Sequence, residues 1–216
     1  MTVRSCLFAL ILSVLALPQR GGTHPHAFID GGLGFVMADG QITHLSVTWI
    51  HDPLYTLFAI TEAGLDPDGD GRLSEAEVAS LVRIHQQWIE GFAGDSYLWA
   101  DDQPVGLSKP QAAQGRMLPD GRFQMEFVRA LDRPVDPRLA RVTAKAYDPT
   151  YYTAYALTEA PAVRGDPACR TQVTAARRDP TDAEMLSQLA LLDRDDSPED
   201  PSIGVRFADT ISLQCD

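Results

Sequence analysis

Residues 66–77, DPDGDGRLSEAE, constrain the fold of this chain most, because they match a calcium-binding loop position for position. Such a loop needs a helix on each side and a sharp turn in its middle, which Gly71 provides. Hard carboxylate oxygens favour Ca²⁺ over Zn²⁺, so we expect a structural calcium ion here. The alternative is an acidic turn between two helices that binds no cation. The expected ligands are Asp66, Asp68, Asp70, the backbone carbonyl of Arg72, Ser74 through a water molecule, and Glu77.

Helical patterns flank this loop on both sides. Asp52 and Pro53 are typical of an N-cap followed by a proline in the first helical position, so a helix should begin there. After the loop, apolar residues recur at spacings of three and four from Val78 onward, which predicts an amphipathic helix over 74–92. Together these segments form a predicted EF-hand-like insert at about residues 53–92.

The rest of the chain has the patterns of an antiparallel β protein. Asp39-Gly40 is typical of a two-residue hairpin turn between two alternating runs. The predicted fold is therefore α+β, a mainly antiparallel β body that carries the inserted helix–loop–helix and a C-terminal helix and strand. The predicted elements outside the insert are strands at about 26–37 and 41–50, short strands from 95 to about 148, a helix at about 181–193 and a last strand at about 203–214.

The N-terminal segment is typical of an export signal. An apolar run at residues 7–17 follows Arg4 and precedes a small, polar stretch, so residues 1–23 are predicted to be a cleaved signal peptide. The run is too short for an ordinary transmembrane helix, and no second run of spanning length follows it. We therefore expect residues 24–216 to form a single periplasmic domain without a transmembrane helix.

The charge and the cysteines agree with that location. The chain has 18 Lys and Arg against 30 Asp and Glu, which disfavours nucleic acid and anionic membranes as partners and favours cations. Cys6 would leave with the signal peptide, and an even pair, Cys169 and Cys215, would remain for a disulfide in an oxidising compartment. Two zinc thiolates are the weaker alternative, because neither cysteine has a partner at C-x-x-C spacing.

Two of the five histidines, His24 and His26, flank one proline at the start of the predicted mature chain. Residues two apart on a strand share a face, so these imidazoles, Phe28 and Asp30 should project to one side. Imidazoles grouped in this way suit Zn²⁺ and other borderline divalent metals. The alternative is that the histidines are incidental hydrogen-bonding residues of an entry strand.

Other residues extend this candidate metal site. A tight hairpin would pair Phe28 with His51 and bring His51 next to His26 on the same face. Asp52 would then lie within reach as an oxygen ligand. Asp148, which opens the tyrosine-rich stretch YDPTYYTAY, is a second carboxylate that could complete the site. The tyrosines themselves suit packing at the end of a sheet.

Several stretches together resemble one family; they are HPHAFID, VTWIHDPLY, GLDPDGDGRLSEAE, QWIEGF, YDPTYYTAY and IGVRFADTISLQC. The chain is similar to the exported proteins of the domain of unknown function 1007 family, which includes Zev-type periplasmic accessory proteins of zinc uptake. The resemblance implies a partner of an inner-membrane permease of the nickel/cobalt-transporter type. It also matches His24, His26, Asp52 and Asp148 to motif positions of the family, whereas His51 stands where a tyrosine or similar residue is expected.

The leading functional hypothesis is an exported accessory protein that captures and presents zinc or another divalent transition metal. Neutral imidazoles would bind the metal at neutral pH and release it on protonation. A calcium-dependent interaction module without a transition-metal role is the alternative. An enzyme is not expected, because the chain has no G-x-S-x-G, no H-E-x-x-H and no thiol outside the predicted disulfide in its mature part.

Overall fold

The structure is a computed structural model that describes residues 24–193 and 196–216. The predicted signal peptide, residues 1–23, lies outside the described residues. The helices are α1 (Pro53–Glu62), α2 (Glu75–His85), α3 (Pro180–Leu189) and a 3₁₀ helix (Ile203–Phe207). The strands are β1 (Ala27–Ala38), β2 (Gln41–His51), β3 (Ser96–Ala100), β4 (Gln103–Val105), β5 (Gln111–Met117), β6 (Phe123–Val135), β7 (Val142–Ala146), β8 (Thr153–Leu157), β9 (Val163–Arg164), β10 (Cys169–Thr174) and β11 (Thr210–Cys215).

The strands form two sheets. The first has the order β5-β6-β2-β1-β8, with the short β9 also paired to β1, and the second has the order β10-β11-β7-β3-β4. All pairings are antiparallel except those of β1 with β8 and with β9. The predicted α+β class with a mainly antiparallel body is therefore confirmed. Both sheets and α2 contribute to one buried core, which includes Phe35, Leu45, Met125, Leu98, Val142, Ile211 and Leu81.

The β1–β2 hairpin turns at Asp39 and Gly40, as predicted, and both residues have positive φ angles of 52° and 76°. The register is nevertheless one residue away from the prediction, because the pairing shifts between Val36 and Met37. Beyond this irregularity Ile29, not Phe28, lies opposite His51. The predicted pairing of Phe28 with His51 is wrong. Since side chains alternate along a strand, a shift of one residue moves His51 to the opposite face.

Helix α2 is shorter than predicted. It ends at His85, and residues 86–92 form turns in place of two further helical turns. Gly91 and Gly94 have φ angles of 83° and 78°, which are incompatible with a right-handed helix. The chain therefore bends, and the indole of Trp88 stacks on that of Trp49 at 6.2 Å between ring centroids.

The C-terminal part contains the predicted helix, observed as α3, but the predicted last strand is divided. The 3₁₀ helix occupies its first part, and β11 occupies its second part. Cys169 and Cys215 lie opposite each other in the β10–β11 pair and form the predicted disulfide, with sulfur atoms 2.00 Å apart. Within the described residues, no helix is both long and apolar enough to cross a membrane.

Candidate metal centre

The backbone holds the two N-terminal histidines against the tyrosine-rich turn. The His26 amide donates a hydrogen bond of 2.8 Å to the Tyr152 carbonyl, just before β1 begins its parallel pairing with β8. The Asp148 carboxylate shapes this turn, because it accepts hydrogen bonds from the Thr150 amide and hydroxyl and from the Thr153 amide at 2.8–3.0 Å. His24 and His26 therefore lie against the turn that Asp148 shapes. Their ring nitrogens and the Asp148 oxygens do not all come within 4.8 Å of one another.

The two imidazoles contact each other directly. Their ring centroids lie 4.7 Å apart with planes at 76°, and the Tyr152 ring lies 5.0 Å from His26 and 5.6 Å from His24. Two ring nitrogens, His24 Nδ1 and His26 Nε2, are buried without a hydrogen-bond partner in the part of the chain that the structure describes. Burying a polar atom without a hydrogen-bond partner costs free energy. Each of these nitrogens is therefore a candidate to coordinate a bound ion.

The surroundings keep His24 neutral. Burial lowers the pKa of its imidazole, and the neighbouring His26 lowers it further, against the raising effect of the Asp148 and Asp196 carboxylates. The backbone carbonyl of Leu192 also faces this ring and raises the pKa slightly. A neutral imidazole with a free nitrogen is the form that binds a metal ion.

Two predicted ligands lie elsewhere. Asp52 is the N-cap of α1, and its carboxylate accepts hydrogen bonds from the amides of Leu54, Tyr55 and Phe28 at 2.8–2.9 Å. This confirms the predicted cap.

His51 is buried on the other face of the sheet because of the register shift, so it does not join His26. The predicted group of His24, His26, His51, Asp52 and Asp148 is therefore divided, and Asp30 forms an ion pair with Arg122 at 2.8 Å.

The acidic loop brings three carboxylates together. Asp66, Asp68 and Asp70 have ligand oxygens within 4.8 Å of one another, the only such group of three or more among the described residues. Glu77 instead completes a capping box with Ser74 and accepts a hydrogen bond from the Asp66 amide at 3.1 Å. The oxygen donors suit a hard cation such as Ca²⁺.

The helix pair around this loop differs in part from the predicted EF-hand-like motif. Helix α1 ends at Glu62, so residues 63–65 separate it from the loop, and Asp66 has a φ of 59°. On the other side, Ser74 caps α2 as expected. The EF-hand-like character of the insert and its calcium ion therefore stay predictions.

A cavity of about 770 Å³ opens beside α1 and the turns after α2. Its lining includes Trp49, Trp88, Tyr155 and the pair His51 and His85. No pattern in the sequence predicts this cavity. The cavity depends on the bend after α2, and His85 follows Leu81 at helical spacing, as an ordinary half-buried position would.

A buried acid is among the residues that line this cavity. Asp95 accepts a 2.8 Å hydrogen bond from the Tyr155 hydroxyl, and burial raises the pKa of its carboxyl to about 7. No motif in the sequence marks Asp95, which lies in the loop before β3. Its contact with Tyr155 of β8 becomes apparent only in the folded protein.

The family model described as a protein of unknown function (DUF1007) matches residues 9–215. The chain belongs to this family. A relative from Haemophilus influenzae, described as an uncharacterized protein, is 24% identical over 224 residues, and the match covers 100% of both chains. No solved structure matches the chain. These comparisons establish the family and leave the activity to be argued from the residues.

Proposed function

We propose that this protein is an exported accessory protein that binds a divalent transition metal, preferably zinc, and assists its transport. The observation that carries this proposal is the pair of buried ring nitrogens, His24 Nδ1 and His26 Nε2, which have no hydrogen-bond partner within the described residues. A borderline metal ion would satisfy both nitrogens at once.

The spacing of the rings supports a shared ion. Two imidazoles bound to one tetrahedral zinc ion, with Zn–N distances of about 2.0–2.1 Å, have ring centroids about 5 Å apart. The observed separation of His24 and His26 is 4.7 Å. The Asp148 carboxylate raises the pKa of His24 electrostatically, so it adds negative charge there and is the proposed third ligand. Two or three protein ligands leave positions open, which suits transfer of the metal to a partner.

Export and the partner complete the proposal. The disulfide between Cys169 and Cys215 is typical of an oxidising compartment such as the periplasm. The proposed partner is an inner-membrane permease of the nickel/cobalt-transporter type, of the kind served by Zev-type accessory proteins. The acidic loop at 66–77 would bind a structural calcium ion that fixes the helix pair.

Zinc titration tests the metal site. Chelator-treated protein, residues 24–216, is titrated calorimetrically with zinc as wild type, as a His24→Gln/His26→Gln double variant and as His44→Gln. His44 is the matched control, because its Nδ1 already contacts the Thr43 hydroxyl at 2.9 Å. We expect one submicromolar site to disappear only in the double variant. Equal zinc binding by the wild type and the double variant would refute the proposal.

A calcium-dependent interaction module is the second candidate. Its support is the apolar surface of α1, the helix that precedes the acidic loop, where Leu54 and Leu57 are 75% and 62% exposed. Exposed apolar side chains grouped on one helix are typical of protein interaction surfaces. This candidate becomes the better account under two conditions. Zinc must bind no more tightly than it binds an unrelated acidic protein, and calcium alone must change the Tm.

A further inference from the structure

His51 and His85 form a second imidazole pair, separate from His24 and His26. His51 is the last residue of β2, His85 is the last residue of α2, and their ring centroids lie 4.9 Å apart. Both side chains line the cavity of about 770 Å³. The tight packing of α2 on the first sheet creates this proximity. A Cβ atom at Gly115 of β5 would lie 2.5 Å from Val82, so only glycine allows this approach.

Hydrogen bonds to backbone carbonyls fix the proton on each ring. His85 Nδ1 lies 2.9 Å from the Leu81 carbonyl, and His51 Nδ1 lies 3.4 Å from the Phe123 carbonyl. A carbonyl oxygen can only accept, so each Nδ1 carries the hydrogen and each Nε2 retains its lone pair. Metal-binding histidines are oriented in this way, with one ring nitrogen donating to a carbonyl and the other bound to the ion.

Aromatic packing holds the buried ring in place. The His51 imidazole is stacked between the Tyr55 and Phe123 rings, at centroid distances of 5.0 Å and 5.7 Å. Burial lowers the pKa of His51 to about 3 and also lowers that of His85, so both rings are neutral near pH 7. A rigid, neutral pair loses little conformational entropy when it binds an ion.

The charge of the cavity favours a cation. The ionisable side chains of its lining, apart from histidine and tyrosine, are Glu62, Asp95 and Asp148, and no lysine or arginine is among the described lining residues. Asp52 also acts on His51 electrostatically. A divalent cation in the cavity would meet the Glu62 and Asp148 carboxylates, and Asp95 where it is ionised.

We propose that His51 and His85 bind one borderline divalent transition-metal ion through their Nε2 atoms, with its remaining coordination positions open to the cavity. The centroid separation of 4.9 Å agrees with the roughly 5 Å expected for two imidazoles on one tetrahedral ion. The two histidine ligands of this site differ from those of the proposed His24 and His26 centre, although Asp148 lines this cavity and also acts on His24. The cavity has room for water molecules or a small ligand to complete the coordination.

Tryptophan fluorescence and zinc stoichiometry test this site together. Trp49 lies 6.5 Å from the His51 ring, so Cu²⁺ bound there should quench its emission. Residues 24–216 are stripped of metal, given excess Ca²⁺ to saturate the acidic loop, and titrated with Cu²⁺; zinc bound after dialysis is measured in parallel. The variants are His85→Gln, His51→Gln, the His24→Gln/His26→Gln double variant and the control His44→Gln.

We expect His85→Gln to lose one bound zinc ion and most of the saturable quenching, while the double variant loses a different zinc ion and keeps most of the quenching. His85→Gln removes a half-buried ring at a helix end, so thermal unfolding should verify that it is folded even if His51→Gln is not. Unchanged zinc stoichiometry and quenching in a folded His85→Gln would overturn the inference. Loss in the double variant alone would support the first site and reject this one.

Discussion

The carboxyl of Asp95 illustrates how a single residue responds to its environment. It is 6% exposed, accepts a hydrogen bond from the Tyr155 hydroxyl, and has a pKa raised by burial to about 7. Arg129 lies nearby but does not neutralise it directly, because its guanidinium donates to the carbonyls of Ser96, Leu107 and Ser108. Desolvation of the charged carboxylate therefore outweighs the attraction of the cation.

This pKa predicts a pH-dependent stability. Between about pH 4 and pH 7 the folded protein keeps the Asp95 proton that the unfolded chain has lost, so this group contributes less stability as pH rises through the window. Asp95→Asn keeps an acceptor for Tyr155 and removes the titration. We expect its free energy of unfolding, relative to wild type, to rise by about 2–4 kcal/mol from pH 4 to pH 8. Parallel pH profiles in urea unfolding would contradict this.

At the scale of elements, Glu77 serves the helix and the loop at once. Its carboxylate forms the capping box of α2 with Ser74 and also contacts the Asp66 amide across the loop. Glutamine is an accepted substitute in a capping box but is a poor bidentate calcium ligand. A single substitution can therefore separate the two roles.

Calcium should stabilise the wild-type protein, and Glu77→Gln should abolish this effect. At a calcium concentration about a hundredfold above Kd, linkage predicts a rise in Tm of about 5–10 °C. Without calcium the two proteins should unfold at nearly the same temperature, because the cap is retained. Circular dichroism with and without millimolar calcium measures both values. If calcium left the Tm of the wild-type protein unchanged, the proposed structural calcium site would be contradicted.

Elements with local determinants were predictable, and those set by distant contacts were not. The turn at Asp39-Gly40 and the helix start at Asp52-Pro53 depend on local turn and capping chemistry, and both are observed. The register of the hairpin depends on one irregularity at Val36 and Met37, which alternation of apolar residues does not reveal. Residues 86–92 continue the helical periodicity but lie outside α2, and Trp88 among them packs on Trp49 of β2, a distant contact that periodicity does not reveal.

The candidate site follows the same rule. The predicted closeness of His24 and His26 rests on alternation along a strand, but both residues precede the first residue of β1. Their rings instead pack together against Tyr152. The pairing of His51 with His85 could not be predicted, since the two residues come from a strand and a helix that pack together only in the folded protein.

At the scale of the whole molecule, the C-terminal strand β11 lies between β10 and β7 in the second sheet. Strand β11 pairs with both β10 and β7, and the Cys169–Cys215 bond joins residues separated by 46 positions in sequence. A disulfide that closes a loop of this length reduces the entropy of the unfolded chain. Its main contribution is therefore to global stability.

Replacing both cysteines by serine should lower the free energy of unfolding by about 2–4 kcal/mol. The change should appear equally in near- and far-ultraviolet dichroism, because one core spans both sheets. Zinc binding by His24 and His26 should persist below the new Tm. If the double serine variant were as stable as the oxidised wild type in denaturant unfolding, the disulfide would have no such role.

X-ray absorption at the zinc edge tests the central claim most directly. It is measured on residues 24–216 carrying one equivalent of zinc in a His85→Gln background, so that the second pair cannot contribute. We predict a shell of nitrogen and oxygen at about 2.0–2.1 Å with the multiple scattering of two imidazoles, lost when His24 and His26 become glutamine. A shell of oxygen alone, or one unchanged by those substitutions, would contradict a metal centre at His24 and His26.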